Sequence, residues 1–125
     1  MAAIDRYLIV NADDFGLSSG VNRGIVQAHR RGIVTSASLM VRQPAADEAV
    51  AMARDFPQLS LGLHLDLGEW AYRSGEWKQL YVVVDISDPD AVQSEVKRQF
   101  DRFCDLTGRA PTHLDSHQHV HRQEP

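Results

Sequence analysis

Cysteine, positive charge and long apolar runs are all scarce in this chain, and each shortage removes a class of protein. With a single cysteine, Cys104, no intrachain disulfide can form, and a reducing compartment is the natural setting. Cys104 sits in a helical pattern beside Phe103 and reads as a small packed residue. Lys and Arg number 13 against 17 Asp and Glu, a formal charge of −4 that offers no basic footprint for nucleic acid. No apolar stretch approaches the length of a membrane span, and residues 1–6 have neither the apolar core nor the cleavage pattern of a leader. The expectation is a cytoplasmic protein with neither a nucleic-acid nor a membrane partner. At 43% hydrophobic and 24% charged residues, the 125 positions suffice for one modest core and hence one domain.

The pattern along the chain alternates short apolar runs with helical stripes. Tyr7-Leu8-Ile9-Val10 reads as a buried strand that delivers Asn11-Ala12-Asp13-Asp14-Phe15-Gly16 to its C-terminal end. Val21, Ile25 and Ala28 at helical spacing predict a helix over about Ser18 to Arg31, stopped at Gly32. Residues 33–41 suit a strand covered by helices, and Pro44 with Ala45, Ala49, Met52 and Ala53 predicts a second helix. Residues 59–67 alternate apolar with other residues, which predicts a third strand. Residues 68–85 break into an irregular loop carrying Trp70, Tyr72 and Trp77. Asp88-Pro89 opens a third helix that runs to Gly108, and residues 112–116 make a fourth strand. Such alternation implies parallel βαβ units, in an open α/β sheet or in part of a barrel.

Adjacent carboxylates at a strand end repel one another unless a metal or a proton sits beside them. Capping of the following helix is the simpler role for Asp13 or Asp14. The histidines favour the metal. His113, Asp115, His117, His119 and His121 fall on every second residue, so an extended backbone would project them to one face. A purification tag would be contiguous, and Leu114 and Val120 interrupt this series; His119 and His121 could equally serve as surface groups. His64, near the end of the third strand, faces the same strand-end surface as Asp14 and His117. One Asp and two His leave positions open for water and substrate, a catalytic arrangement suited to zinc or to magnesium. Its chemistry would be polarisation of a carbonyl and activation of water, with Asp13 free to take the water's proton.

Three stretches, Asn11-Ala12-Asp13-Asp14-Phe15-Gly16, Gly62-Leu63-His64-Leu65 and the run from Thr112 to His121, together resemble the N-terminal half of the YdjC-like carbohydrate deacetylases, which include the chitooligosaccharide deacetylases. The resemblance implies a polysaccharide-deacetylase-like (β/α) barrel and removal of N-acetyl groups from acetylated sugars. It matches Asp14, His64 and His117 to the family's metal ligands and Asp13 to its general base. Family members are longer, and their later strands contribute a further histidine as acid and part of the sugar site.

Trp70, Tyr72 and Trp77 are candidates to stack on sugar faces, with packing of their loop as the competing role, and His119 and His121 are further substrate-binding candidates. Two rival functions remain: a catalytically incomplete metal-binding or assembly module, and another metallohydrolase such as a phosphoesterase. Half a barrel would have two unpaired sheet edges and apolar positions at Val34, Leu39, Leu61 and Leu63 that need cover. A homodimer or a completing partner chain is therefore expected.

Overall fold

The computed structural model describes residues 5–122. Four parallel strands, β1 (Asn11–Phe15), β2 (Ser36–Leu39), β3 (Ser60–Leu65) and a fourth at Leu114–Ser116, form one sheet. Helices α1 (Ser19–Arg31) and α2 (Ala46–Ala53) connect the first three strands. An antiparallel hairpin, β4 (Gly68–Arg73) and β5 (Glu76–Val82), and then α3 (Pro89–Thr107) lead to the fourth sheet strand, which is β6 in chain order.

The order across the sheet is β1-β2-β3-β6, so each crossover adds its strand on the same side. Right-handed crossovers that never reverse direction place all their helices on one face. The other face is then left concave, as in a barrel, and the doubly wound alternative is excluded because its strand order must reverse. Side-chain alternation agrees. Ala37, Leu39, Leu61 and Leu63 enter the core with Ile25, Val26, Val50 and Phe103 from the helices, while Ser36, Ser38 and His64 alternate with them. The chain thus forms part of a (β/α) barrel.

Local chemistry explains the helix ends. Ser18 caps α1 by accepting from Val21 N at 3.2 Å, and Asp88 caps α3 by accepting from Asp90 N and Ala91 N, both at 3.1 Å. Pro89 occupies the first turn of α3, where its missing N–H has no bond to lose.

Three expectations change. The first strand is not the apolar run: Tyr7 and Ile9 are 89% and 78% exposed, and the regular ladder begins at Asn11. Val10 joins outside the regular ladder: its carbonyl accepts from Thr35 N and Ser36 N at 2.9 and 3.2 Å, and its N–H donates to Thr35 Oγ1 at 3.0 Å. The aspartates therefore lie within the strand rather than beyond it. Second, residues 68–85 are not an irregular loop. Ser74 and Gly75 both have positive φ, 54° and 86°, the two-residue turn whose twist matches a hairpin, and glycine takes the second position without steric cost. Third, Leu39, Leu61 and Leu63 need no outside cover, because α1, α2 and α3 already bury them, and Val34 is half-buried. Apolar residues that do stand exposed around the sheet include Tyr7, Leu8, Ile9, Ile33 and Leu114.

A buried polar network anchors the hairpin. Asp66 accepts from Gln43 Nε2 at 3.1 Å, Tyr81 Oη at 3.0 Å and Gly68 N at 3.2 Å, while its backbone N and O are both bonded by Gln99 of α3. Burial beside this carboxylate raises the Tyr81 pKa, so the phenol stays a donor. On the other side, Gln118 accepts from Trp70 N at 2.9 Å and donates to Trp70 O at 2.7 Å. The hairpin is thus tied to the segment that follows β6.

Candidate metal centre

A bulge in β1 aims the aspartates. Ala12 pairs with Ala37 and Phe15 with Leu39, so three steps along β1 match two along β2, and one residue is extra. Asp14 absorbs the mismatch with φ of 64°, a left-handed conformation that costs a non-glycine residue of order 1 kcal/mol. Asn22 of α1 secures the turn beyond, accepting from Gly16 N at 2.7 Å and donating to Ala45 O at 3.0 Å. Strain held in place by surrounding bonds at a charged side chain is a common mark of a working site.

Two histidines meet Asp14, His64 from β3 and His117 from the segment just after β6. His64 Nε2 lies 3.4 Å and His117 Nδ1 3.1 Å from Asp14 Oδ1, and the two rings make an edge-on contact with centroids 5.5 Å apart. Ligating atoms of Asp14, His64 and His117 all lie within 4.8 Å of one another. His117 Nε2 is buried with no hydrogen-bond partner, a costly state that a ligand or ion nearby would relieve. A carboxylate, two imidazoles and an unpaired buried nitrogen fit a divalent ion. Asp13, His64 and Asp115 form a second, overlapping group within the same limit. Asp13 itself is exposed and accepts from Asn11 Nδ2 at 2.8 Å.

The every-second-residue series ends at Ser116. A 3₁₀ segment, His117–Arg122, follows, with Gln118 and His119 in left-handed conformations at φ 53° and 56°. That reversal turns His117 toward Asp14 and leaves His119 and His121 exposed, their rings 6.2 Å apart. His121 Nδ1 bonds Ser116 Oγ at 2.5 Å. His113 faces Ser38 and Thr112 instead of the aspartates. Of the aromatic candidates, Trp70 is half-buried against Leu65, Leu67 and Val120, whereas Tyr72 and Trp77 stand 63% and 69% exposed as a cross-strand pair with centroids 5.6 Å apart.

Each ionisation reflects its neighbours. The hydrogen bond from His117, then that from His64, holds Asp14 well below the usual carboxylate range. Burial alone would lower the His64 pKa, but hydrogen bonds to Asp115 and Asp14 outweigh it and raise the value to about 9. His117 is raised chiefly by its bond to Asp14, with burial opposing. Burial pushes Asp115 upward, yet its bonds to His64 and Ser38 leave it lowered.

A pH prediction follows for the ion. A ligating imidazole must be neutral, so the proton on His64 competes with the metal below pH 9. Apparent affinity should therefore rise by up to about tenfold per pH unit for each proton displaced and level off above that pH. The metal-free protein runs the other way. Because the folded-state pKa of His64 is raised, its contribution to stability is full below the ordinary 6.5 and is lost as pH rises through about 9. Zinc titrations and denaturant midpoints at pH 6 to 9.5 check both slopes.

The sequence matches the family model described as "YdjC-like protein" over residues 7–125. The chain belongs to the YdjC-like family. Among curated relatives, a chitooligosaccharide deacetylase from Serratia marcescens is 40% identical over 96% of this chain and 52% of its own length. Another from Citrobacter koseri is 42% identical over 94% of this chain and 51% of its own. A crystal structure from Enterococcus faecalis V583, of a protein named for cellobiose-phosphate cleavage, superposes with a TM-score of 0.76 at 32% identity, covering 93% of this chain and 50% of that one. The chain spans about half the length of the relatives it matches.

This YdjC-like chain also brings to the site Ser38, which lies outside the three motifs, together with Asn11 and Asp115, which lie within them. Asp115, Ser38 and Asn11 form a bonded set behind His64, with Asp115 Oδ1 only 2.7 Å from His64 Nδ1. The register that sets His64 beside Asp115 is a strand-pairing fact, and no local pattern encodes it.

Proposed function

We propose that this chain is the N-terminal half of a YdjC-like barrel and the metal-holding part of a carbohydrate deacetylase, which removes N-acetyl groups from acetylated sugars such as chitooligosaccharides. The observation that carries the reading is the bulge that sets Asp14 against His64 of β3 and His117 of the turn after β6, with Asp13 beside it. The names of the curated relatives supply the substrate class.

In this reading Asp14, His64 and His117 hold one divalent ion, magnesium or zinc. When bound, the ion supplies Lewis-acid polarisation of the acetamide carbonyl. Asp13 stands next to the ligand, exposed and without a hydrogen bond to either histidine, and accepts the proton of the attacking water. Tyr72 and Trp77 present two adjacent rings to a sugar face, Trp70 steadies the hairpin beneath them, and His119 and His121 contribute polar contacts to the same substrate. A homodimer or a completing chain supplies what the open sheet lacks, and the setting is cytoplasmic.

A second reading, a metal-binding module without turnover of its own, is favoured by the uncovered sheet edges. Two measurements separate them. Dialysis against zinc or magnesium followed by elemental analysis should find metal in the parental protein and a sharp loss in His64→Ala and His117→Ala with the circular dichroism retained. Stoichiometric metal in both variants would sink the ligand assignment. Acetate release from acetylated chitooligosaccharide supports the deacetylase, and bound metal without acetate release supports the module.

A further inference from the structure

We propose that Asp115 is a positioning residue for His64, holding the imidazole with its proton on Nδ1 so that the Nε2 lone pair is presented to the ion. The inference rests on the metal-holding role proposed above for His64. An ionised carboxylate only accepts, so the 2.7 Å contact between His64 Nδ1 and Asp115 Oδ1 is donated by the imidazole. In the neutral ring the other nitrogen is then an acceptor. It is Nε2 that lies 3.4 Å from Asp14 Oδ1, so the tautomer imposed from behind is the one the metal centre requires. His64 is 3% exposed, and solvent has little access to reverse the choice.

Asp115 is itself held. Ser38 Oγ donates to its Oδ2 at 2.6 Å and accepts from Asn11 Nδ2 at 2.9 Å. A hydroxyl has one hydrogen, and here the carboxylate receives it. The 3.0 Å contact between Ser38 Oγ and His113 Nε2 must therefore be donated by His113. Gly62 leaves the space for that ring: a Cβ at this position would lie 2.3 Å from His113 Nε2 and 2.4 Å from its Cδ2 and Cε1. Residues of β1, β2 and β3, with His113 at the approach to β6, thus converge on one carboxylate that touches the ring of His64.

A partner that merely satisfied a buried polar group would cost stability when removed and leave the folded protein's affinity for metal unchanged. Zinc calorimetry on parental protein, His64→Ala, Asp115→Ala, Asp115→Asn and Gly62→Ala, with unfolding midpoints in parallel, separates the two. Asp115→Ala should weaken zinc binding about 10- to 100-fold. Asp115→Asn, which keeps a carbonyl oxygen for the Nδ1 proton, should recover most of that loss, and Gly62→Ala should weaken binding several-fold by displacing His113. Folded Asp115→Ala with parental affinity overturns the proposal and leaves the ligand assignment standing. A parental protein that takes no zinc, or a His64→Ala variant that binds as tightly, overturns both. If Asp115→Ala does not fold, the zinc-loaded parental protein answers by long-range proton–nitrogen NMR: a protonated Nδ1 with coordinated Nε2 on His64 supports the proposal, and a protonated Nε2 overturns it.

Discussion

Asp13→Asn should keep its metal and lose most of its turnover, by roughly 10²- to 10⁴-fold in kcat for acetate release. The substitution preserves size and removes only the capacity to accept a proton. Asp13 is hydrogen-bonded to neither His64 nor His117, and among the described residues its side chain bonds Asn11 at 2.8 Å; its charge reaches His64 only through space, so the contacts of Asp14 with the two histidines stay in place in the variant. The same variant discriminates between the two overlapping donor groups. If the ion were held by Asp13, His64 and Asp115, the variant would lose metal and turnover together. Elemental analysis beside acetate assays, on whichever assembly of the chain turns over, makes the distinction. Parental rates in the variant would remove Asp13 as the base.

What the sequence made legible here was local. Ser18, Asp88 and Pro89 act at the helix starts where their chemistry predicts, and the alternation through residues 60–65 is the observed β3. The failures share a cause, which is that pairing partners decided the outcome. Tyr7 to Ile9 look like a buried strand by composition, yet the ladder runs from Asn11 because Ser36 and Ala37 of β2 pair there and the bulge takes up the aspartates. The hairpin was signalled by Ser74-Gly75, but charged and aromatic residues on both arms hid the alternation, since β5 lies largely in solvent and β4 is only partly buried. Of the histidine series only His117 and Asp115 join a group that could hold an ion, and the geometry depends on left-handed turns at Gln118 and His119 that periodicity cannot reveal. Asp14, His64 and His117 could be picked out individually by residue type and strand-end position. Their common origin in β1, β3 and the turn after β6 is a property of the sheet order.

The 125-residue chain should self-associate in solution, most favourably as a two-fold dimer, unless a complementary chain covers it first. β1 and β6 are the two edges of the sheet, and each carries unpaired backbone groups that template further pairing. Part of the exposed apolar surface lies beside those edges, at Tyr7, Leu8, Ile9 and Leu114. Tyr7 and Ile9 flank the start of β1 and line, with Thr35, Ser60 and Thr112, an open cavity of about 580 Å³ on the sheet's uncovered side. Leu114 of β6 alternates with Asp115 and so lies on the helix side of the sheet, but no helix covers it and it is 53% exposed. Burying side chains of this size contributes roughly 1.5–3 kcal/mol each, so a few of them outweigh the ordering cost of a modest interface. The association should persist in high salt, because it is driven by apolar area rather than by charge. Sedimentation velocity from low to high micromolar concentration is the measurement, with Ile9→Lys combined with Leu114→Lys expected to shift the distribution toward monomer. A compact, cooperatively unfolding monomer at every concentration would mean that the exposed edge residues find cover within the chain itself.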